Sequence, residues 1–190
     1  MSKTQLAHYI RTIISVSEKE LDYILAYFHP LKPVKNEILI PSGQVNQRMF
    51  FINKGCLRIF FIQPDGQEAT RYLAFENKFA TALSSFITEE PSLESIQALE
   101  HTEVLYISRT DFYHLLEHIP VWEKFYRSYL ERAYVHNTQR LMSFVTMTAK
   151  ERYKQLLEEN PIIVQRLPNK VVASYLNLSQ ETLSRLKSKV

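Results

Sequence analysis

The segment ASYLNLSQETLSRLK, residues 173–187, carries the most specific pattern in the chain. It predicts two short helices with a tight turn between them, the first opening near Asn169 and ending at Asn177, the second capped by Ser179. Ala173 is small enough for two helices to cross closely, and asparagine tolerates the left-handed backbone of such a turn. The spacing is typical of a helix-turn-helix.

The last predicted helix has a polar face suited to DNA. With Leu183 and Leu186 turned inward, the opposite face carries residue types that hydrogen-bond to base edges in the major groove. Nearby lysines are expected to contact phosphates, which position a protein without specifying sequence. The predicted DNA-binding residues are Lys170, Ser179, Gln180, Glu181, Ser184, Arg185, Lys187 and Lys189. An ordinary solvated helix face is the alternative interpretation.

Charge is distributed unevenly along the chain. The net charge is +3 at pH 7, yet residues 138–190 hold nine Lys or Arg against four Glu, while residues 1–137 hold fourteen basic against sixteen acidic residues. A basic C-terminal part favours a polyanionic partner, here double-stranded DNA.

Residues 37–107 contain short runs of Ile, Phe, Tyr and Val separated by turn signals such as Pro64-Asp65-Gly66. This pattern predicts an antiparallel β-barrel or sandwich. The predicted strands are residues 38–40, 49–52, 57–62, 68–75, 95–99 and 103–107. Short amphipathic helices are predicted at residues 3–13, 17–28 and 110–118.

From Pro120 the pattern predicts about eight turns of helix with one largely apolar stripe. A single Asn137 in such a stripe is typical of a two-stranded coiled coil, where it fixes the register, so a symmetric homodimer is expected. The alternative is that the stripe packs only on the chain's own barrel. The predicted dimerisation residues are Trp122, Tyr126, Leu130, Ala133, Asn137, Leu141 and Phe144.

The expected fold class is therefore α+β, with an N-terminal antiparallel β-barrel of double-stranded β-helix or jelly-roll type. The expected domains are a sensor at residues 1–119, a long dimerisation helix at 120–148 and a helix-turn-helix at 149–190. The last domain is expected to be winged-helix-like with a truncated wing, since no hairpin follows the final helix. Residues 162–167 are the candidate for what remains of the wing.

The order of these elements, ending in the motif at residues 178–185, resembles the Crp/Fnr family of transcription regulators. In that family the Glu and Arg of the pattern S-x-E-T-x-x-R read base edges, which implies that role for Glu181 and Arg185. The resemblance implies a cytoplasmic homodimer that binds a roughly palindromic operator. RNA polymerase is a candidate partner, and the identity of any small-molecule effector is left open.

The sequence differs from the family pattern in the segment that binds cyclic AMP in some family members. Such members carry "F-G-E" followed by "R-S-A" or "R-T-A", whereas the equivalent residues 79–100 contain no glycine and no arginine but four glutamates. A buried phosphate would meet net negative charge there, so we expect no physiological cyclic AMP binding.

No cofactor or metal is expected. The single Cys56 excludes an iron-sulfur cluster held by several cysteines of one chain. Asp111, His114 and His118 share one face of a predicted helix, which is interpreted as a solvated polar face rather than a metal site.

Two other functions were weighed against the regulator. A ligand-binding or protein-interaction module without DNA binding stays open. An enzyme is not expected, because the chain has no Gly-rich phosphate loop, Gly-x-Ser-x-Gly elbow or His-Glu-x-x-His motif. No apolar run approaches the length that spans a bilayer and no export signal is evident, so no membrane association is expected.

Overall fold

The computed structural model describes residues 2–188. The chain forms two compact units. The first unit runs up to Phe61 and continues with Tyr72–Leu130, and the second consists of Ile62–Arg71 and the residues from Glu131 onward. The domain boundaries expected from the sequence stay a prediction.

Helices and strands alternate in an α+β arrangement. The helices are α1 Thr4–Ile13, α2 Glu18–Ala26, α3 Leu83–Thr88, α4 Arg109–His118, α5 Pro120–Thr146, α6 Ala149–Glu159, α7 Pro161–Arg166, α8 Asn169–Leu176 and α9 Gln180–Lys187. The strands are β1 His29–Leu31, β2 Ile38–Ile40, β3 Arg48–Lys54, β4 Leu57–Ile62, β5 Glu68–Ala74, β6 Phe79–Ala80, β7 Ser95–Ala98 and β8 Glu103–Ser108.

The strands form two four-stranded sheets, in the orders β1-β8-β3-β6 and β2-β7-β4-β5. The strand pairs β1/β8, β3/β8, β3/β6, β2/β7 and β4/β7 are antiparallel. The sheets do not close into the barrel that the sequence predicted. Three of the four edge strands are short: β1, β2 and β6 have three, three and two residues, whereas β5 has seven.

Strand β3 contributes side chains to both hydrophobic cores of the first unit. Phe50 and Ile52 lie in the core shared by the two sheets, whereas Met49 and Phe51 lie in a second core built largely of helix residues. All four are buried because the strand is covered on both faces, which is why its sequence is a continuous apolar run rather than an alternating one.

The sequence interpretation did not predict four elements: strands β1 and β6 and helices α3 and α7. In β1, Pro30 pairs with Leu105. Strand β1 lies at the edge of its sheet, where a residue without an N–H is tolerated.

The long helix α5 begins inside the helix-rich core of the first unit. Trp122 is fully buried there and forms edge-to-face ring contacts with Phe28, at 6.1 Å between centroids, and with Phe112, at 5.4 Å. The helix ends at Thr146, close to the prediction, and Thr148 then caps α6 through a reciprocal pair of hydrogen bonds with Glu151.

The second unit consists of a hairpin segment and a helical cluster. Helices α6 to α9 pack around an apolar core. Its buried members are Tyr153, Leu156, Ile163, Leu167, Val171, Val172, Ala173, Leu176 and Leu183. Residues 162–167 were the candidate for a wing, but they lie mainly in helix α7, which begins with Pro161. Proline suits the first turn of a helix, so that candidate was wrong.

Among the helices of residues 2–188, none combines the length and apolar character needed to cross a membrane.

Candidate nucleic-acid interface

Helices α8 and α9 meet at a turn whose backbone geometry follows from Asn177. This residue has φ +54° and ψ +53°, and the N–H of Leu178 donates to the carbonyl of Ala173 over 2.9 Å, which closes the end of α8. Ser179 then caps α9 by accepting a hydrogen bond from the N–H of Thr182 over 3.1 Å. The predicted helix ends and cap are confirmed.

One face of α9 is anchored and the other is exposed. Leu183 is fully buried, which fixes the rotation of the helix about its axis. The predicted base-reading side chains Gln180, Glu181, Ser184 and Arg185 are all exposed. They lie on one exposed surface of the second unit, because residues three and four apart share a helix face.

The predicted phosphate-contacting lysines differ from one another in their contacts. Lys170 forms an ion pair with Glu68 at 3.7 Å between Nζ and Oε2, with two thirds of its side chain exposed. Lys187 donates to Asn169 Oδ1, which ties the end of α9 to the start of α8. Exposed pairs of this kind contribute about 0–1 kcal/mol to stability. A DNA phosphate can therefore replace Glu68 or Asn169 as the partner of its lysine. Lys189 lies outside the described residues.

The hairpin segment of the second unit, Ile62–Arg71, is bound directly to α8. The Ser174 hydroxyl donates to the Glu68 carbonyl over 2.7 Å and accepts from the Thr70 N–H over 2.8 Å. The Thr70 hydroxyl lies 2.9 Å from the same oxygen. Thr70 is 3% exposed, so its polar groups depend on this serine. The sequence separation of about a hundred residues left no local signal for this contact.

Arg140 joins the same assembly from the long helix. One of its terminal nitrogens donates to the main-chain carbonyls of Thr70, over 3.1 Å, and of Tyr175. Its guanidinium also lies 3.9 Å from the centroid of the Tyr175 ring. Burial lowers the pKa of Arg140, and the nearby cations of Arg71 and Arg152 lower it further.

Arg152 is likewise bound within the unit, through the carbonyls of Met147 at 2.8 Å and Leu176 at 3.4 Å. The basic excess of residues 138–190 therefore overstates the charge facing solvent, because Arg140 and Arg152 point at main-chain oxygens.

The predicted dimerisation residues are distributed between buried and exposed sites. Trp122 is fully buried in its own chain's core, and Tyr126 packs on Phe112 at 5.0 Å between ring centroids. Leu130, Ala133 and Phe144 are half-buried, whereas Asn137 and Leu141 are exposed.

A different set of α5 residues forms an exposed apolar stripe in the second unit. Tyr134, Leu141 and Val145 are 74%, 64% and 76% exposed. Thr138 lies between them, so the positions recur at steps of four, three and four residues. Leu141 belongs both to this stripe and to the predicted dimerisation set, which stays a prediction.

The segment that corresponds to the cyclic nucleotide cassette, residues 79–100, has polar contacts with Asn46. Asn46 donates to the Thr81 hydroxyl over 2.6 Å and, through its N–H, to the Ser85 hydroxyl over 2.9 Å. The Ser85 hydroxyl donates in turn to the Glu90 carbonyl. The segment has no Lys or Arg, so it does not fit a buried cyclic phosphate.

The side chains of Asp111, His114 and His118, which share one face of α4, do not point at a common centre. The two imidazoles stack at 4.3 Å between centroids, while Asp111 accepts a hydrogen bond from Ser108 over 2.6 Å. Within the described residues, no group of three or more His, Cys, Asp or Glu side chains is arranged to hold a metal ion.

Comparisons with known proteins agree with this architecture. Residues 32–118 match the sequence model of the family described as cyclic nucleotide-binding domain. No curated protein sequence matches the chain.

Solved structures share its fold over most of both chains. The catabolite activator protein of Thermus thermophilus is 23% identical, with a TM-score of 0.60, covering 92% of this chain and 84% of that one. The c-di-GMP responsive regulator CLP of Xanthomonas campestris is 14% identical, with a TM-score of 0.72 and 91% of each chain covered. A protein of Eubacterium rectale described as a Crp/Fnr family regulator is 15% identical, with a TM-score of 0.70, covering 90% and 82%. The resemblance predicted from the sequence is confirmed at the level of the fold.

Substitution of Ser174 by Ala is expected to loosen the hairpin segment from α8. The change leaves the buried Thr70 N–H without its acceptor, which costs about 1–3 kcal/mol of unfolding free energy. Chemical denaturation and hydrogen exchange at the Thr70 amide measure the effect. Ser184→Ala, on the exposed face of α9, is the matched control and should change stability by under about 0.5 kcal/mol. Equal effects of the two changes would contradict the assignment.

Proposed function

We propose that this chain, which shares the fold of Crp/Fnr transcription regulators and matches a cyclic nucleotide-binding domain over residues 32–118, is a homodimeric, sequence-specific DNA-binding regulator rather than an enzyme. One observation carries the proposal. Helix α9 is capped by Ser179 and anchored by Leu183, and it presents Gln180, Glu181 and Arg185 to solvent together.

Helix α9 would lie in the major groove with α8 behind it as the second helix of a helix-turn-helix. Arg185 would bond to O6 and N7 of guanine, Gln180 to adenine and Glu181 to the amino group of cytosine. Ser179 is occupied as the helix cap, so it would orient the reading helix rather than contact a base directly.

A dimer would follow from the exposed apolar stripe of α5, formed by Tyr134, Thr138, Leu141 and Val145. The steps of four, three and four residues are those of a two-stranded coiled coil, whose facing helix would cover the stripe. A second copy of the chain is the occupant that supplies an identical, self-complementary helix. Two copies of α9 would then read half-sites about one DNA turn apart.

Replacing Arg185 by Ala should remove specific recognition while leaving general DNA affinity largely intact. Loss of a bidentate guanine contact costs about 1–3 kcal/mol, or roughly tenfold to hundredfold in affinity for the preferred sequence. The measurement is selection from randomised duplex DNA at two salt concentrations. Lys150→Ala, which removes an equal charge from an exposed site on α6, should weaken binding uniformly and keep the preferred sequence. An enriched sequence unchanged in the Arg185 variant would contradict direct reading by α9.

Replacing Leu141 by Glu should dissociate the dimer. A charge buried in a coiled-coil seam is expected to weaken association by at least about tenfold. Sedimentation velocity over a range of protein concentrations measures the change. Ile162→Glu is the matched control, since Ile162 is an exposed apolar residue on α7, outside the stripe. A wild-type chain that sediments as a monomer at every concentration would refute the dimer.

Cyclic AMP is expected to have no effect on this protein at physiological concentration. The reason is the lack of basic side chains in residues 79–100, together with the four glutamates of that segment. Calorimetric titration of the full chain with cyclic AMP tests this. Binding with a micromolar or lower dissociation constant, about 8 kcal/mol or more, would overturn the expectation.

A second candidate function is a ligand-binding or protein-interaction module of the same fold without DNA binding. It is favoured by the internal contacts of Arg140 and Arg152, which direct these two cations into their own unit and reduce the positive charge presented to a DNA backbone. The two candidates differ in the selection experiment: the module predicts weak, salt-sensitive binding with no sequence enriched.

A further inference from the structure

A cavity of about 470 Å³ lies within the second unit. The last turns of α5 form one wall, α6 forms the opposite wall, and Tyr175 and Leu176 at the end of α8 form the base. Its volume falls within the range of about 300–1,000 Å³ found for small-molecule sites. The cavity lies apart from the polar face of α9, so it needs an explanation other than DNA reading.

Two cations dominate the lining of this cavity. The guanidiniums of Arg140 and Arg152 both lie on the Phe144 ring, at 4.9 and 5.2 Å from its centroid. Glu159 is the one acidic residue of the lining, and it accepts a hydrogen bond from Gln155. Among the described residues, neither guanidinium has a carboxylate oxygen within 4.0 Å. The described contacts of these two positive charges are therefore main-chain carbonyls and the Phe144 and Tyr175 rings.

Arg152 also has an unsatisfied donor. Its Nε is buried and has no hydrogen-bond acceptor among the described residues, although both terminal nitrogens are bound to carbonyls. A buried donor without an acceptor costs about 1–3 kcal/mol. Because Arg152 lines the cavity, a bound acceptor that reaches its Nε would recover that energy.

The remaining lining suits a ligand that is only partly charged. Phe144 and Tyr175 offer aromatic rings, Met142 and Leu176 offer apolar side chains, and Gln155 offers an amide. A small inorganic anion would not contact these aromatic, apolar and amide groups. A neutral apolar molecule would leave the arginines unpaired.

We propose that this cavity binds a small organic anion that carries a carboxylate or phosphate group on a flat apolar body. Its anionic group would pair with Arg152 and Arg140, and its body would lie on Phe144 and Tyr175. Charge-assisted contacts to guanidinium account for the preference for an anion, and the aromatic walls account for the preference for a flat ring.

Calorimetric titration of the full chain, without DNA, tests the proposal directly. The probe is phenyl phosphate, compared with inorganic phosphate and with phenol. Phenyl phosphate should bind at least about tenfold more tightly than either comparison compound, because only it uses both the cations and the rings. The Nε–H signal of Arg152 in a nitrogen-proton NMR spectrum should shift on addition of the probe.

Two variants separate binding from folding. Arg152→Gln should lower phenyl phosphate affinity at least about tenfold, but it also removes the hydrogen bonds to Met147 and Leu176. Gln155→Trp fills the cavity without touching those bonds and should abolish binding. Gln165→Trp, the same change at an exposed site on α7, should leave affinity unchanged.

The titrations of the two tryptophan variants can either establish or overturn the site. Binding of phenyl phosphate that Gln155→Trp removes and Gln165→Trp retains would establish the site. No binding of phenyl phosphate, equal binding of phenol, or equal affinity in both tryptophan variants would overturn it. Because the measurement uses no DNA, its result is separate from that of the proposed regulator function.

Discussion

The packing of the second unit depends on the contacts of the Arg140 guanidinium. It donates to carbonyls of the hairpin segment and of α8, and it lies over the Tyr175 and Phe144 rings. Three segments distant in sequence are joined by this one side chain. Burying a cation is unfavourable unless its donors are satisfied, so the carbonyls and the rings must be in place together. This mutual requirement fixes α8 against the hairpin and the long helix.

Fixing α8 also fixes α9. The turn at Asn177 holds the two helices in a set geometry, and Leu183 anchors α9 to the buried core. The polar side chains of α9 are left exposed because the anchoring side faces inward. The same organisation accounts for the cavity, since Arg140 and Arg152 are needed for structure and are thereby held close together without a carboxylate.

The first unit is organised by a different constraint. Strand β3 is buried on both faces, so the core between the sheets and the core beneath the helices share one strand. The core between the sheets is filled by apolar side chains from both, including Phe50, Ile59 and Ile96. Asn46 binds Thr81 and Ser85 in residues 79–100, a segment that has no lysine or arginine. This unit therefore has the fold of a cyclic nucleotide-binding domain but lacks a basic side chain within the segment that corresponds to the phosphate cassette.

The sequence by itself determined the features that local chemistry controls. The cap at Ser179 and the left-handed Asn177 lie where the helix signals placed them, because a capping bond spans only three or four residues. The exposed face of α9 was predictable for the same reason, since one buried leucine and helical periodicity set it.

Only the tertiary structure decided which apolar stripe of α5 is free, whether the sheets close, and where the arginines point. Trp122 and Leu141 fit the same helical pattern, yet one is fully buried and the other is 64% exposed. Ser174 and Thr70 gave no signal that they would meet. These outcomes depend on contacts between segments far apart in the chain, and hydrophobic burial, being non-directional, leaves their pairing to the packing of the whole unit.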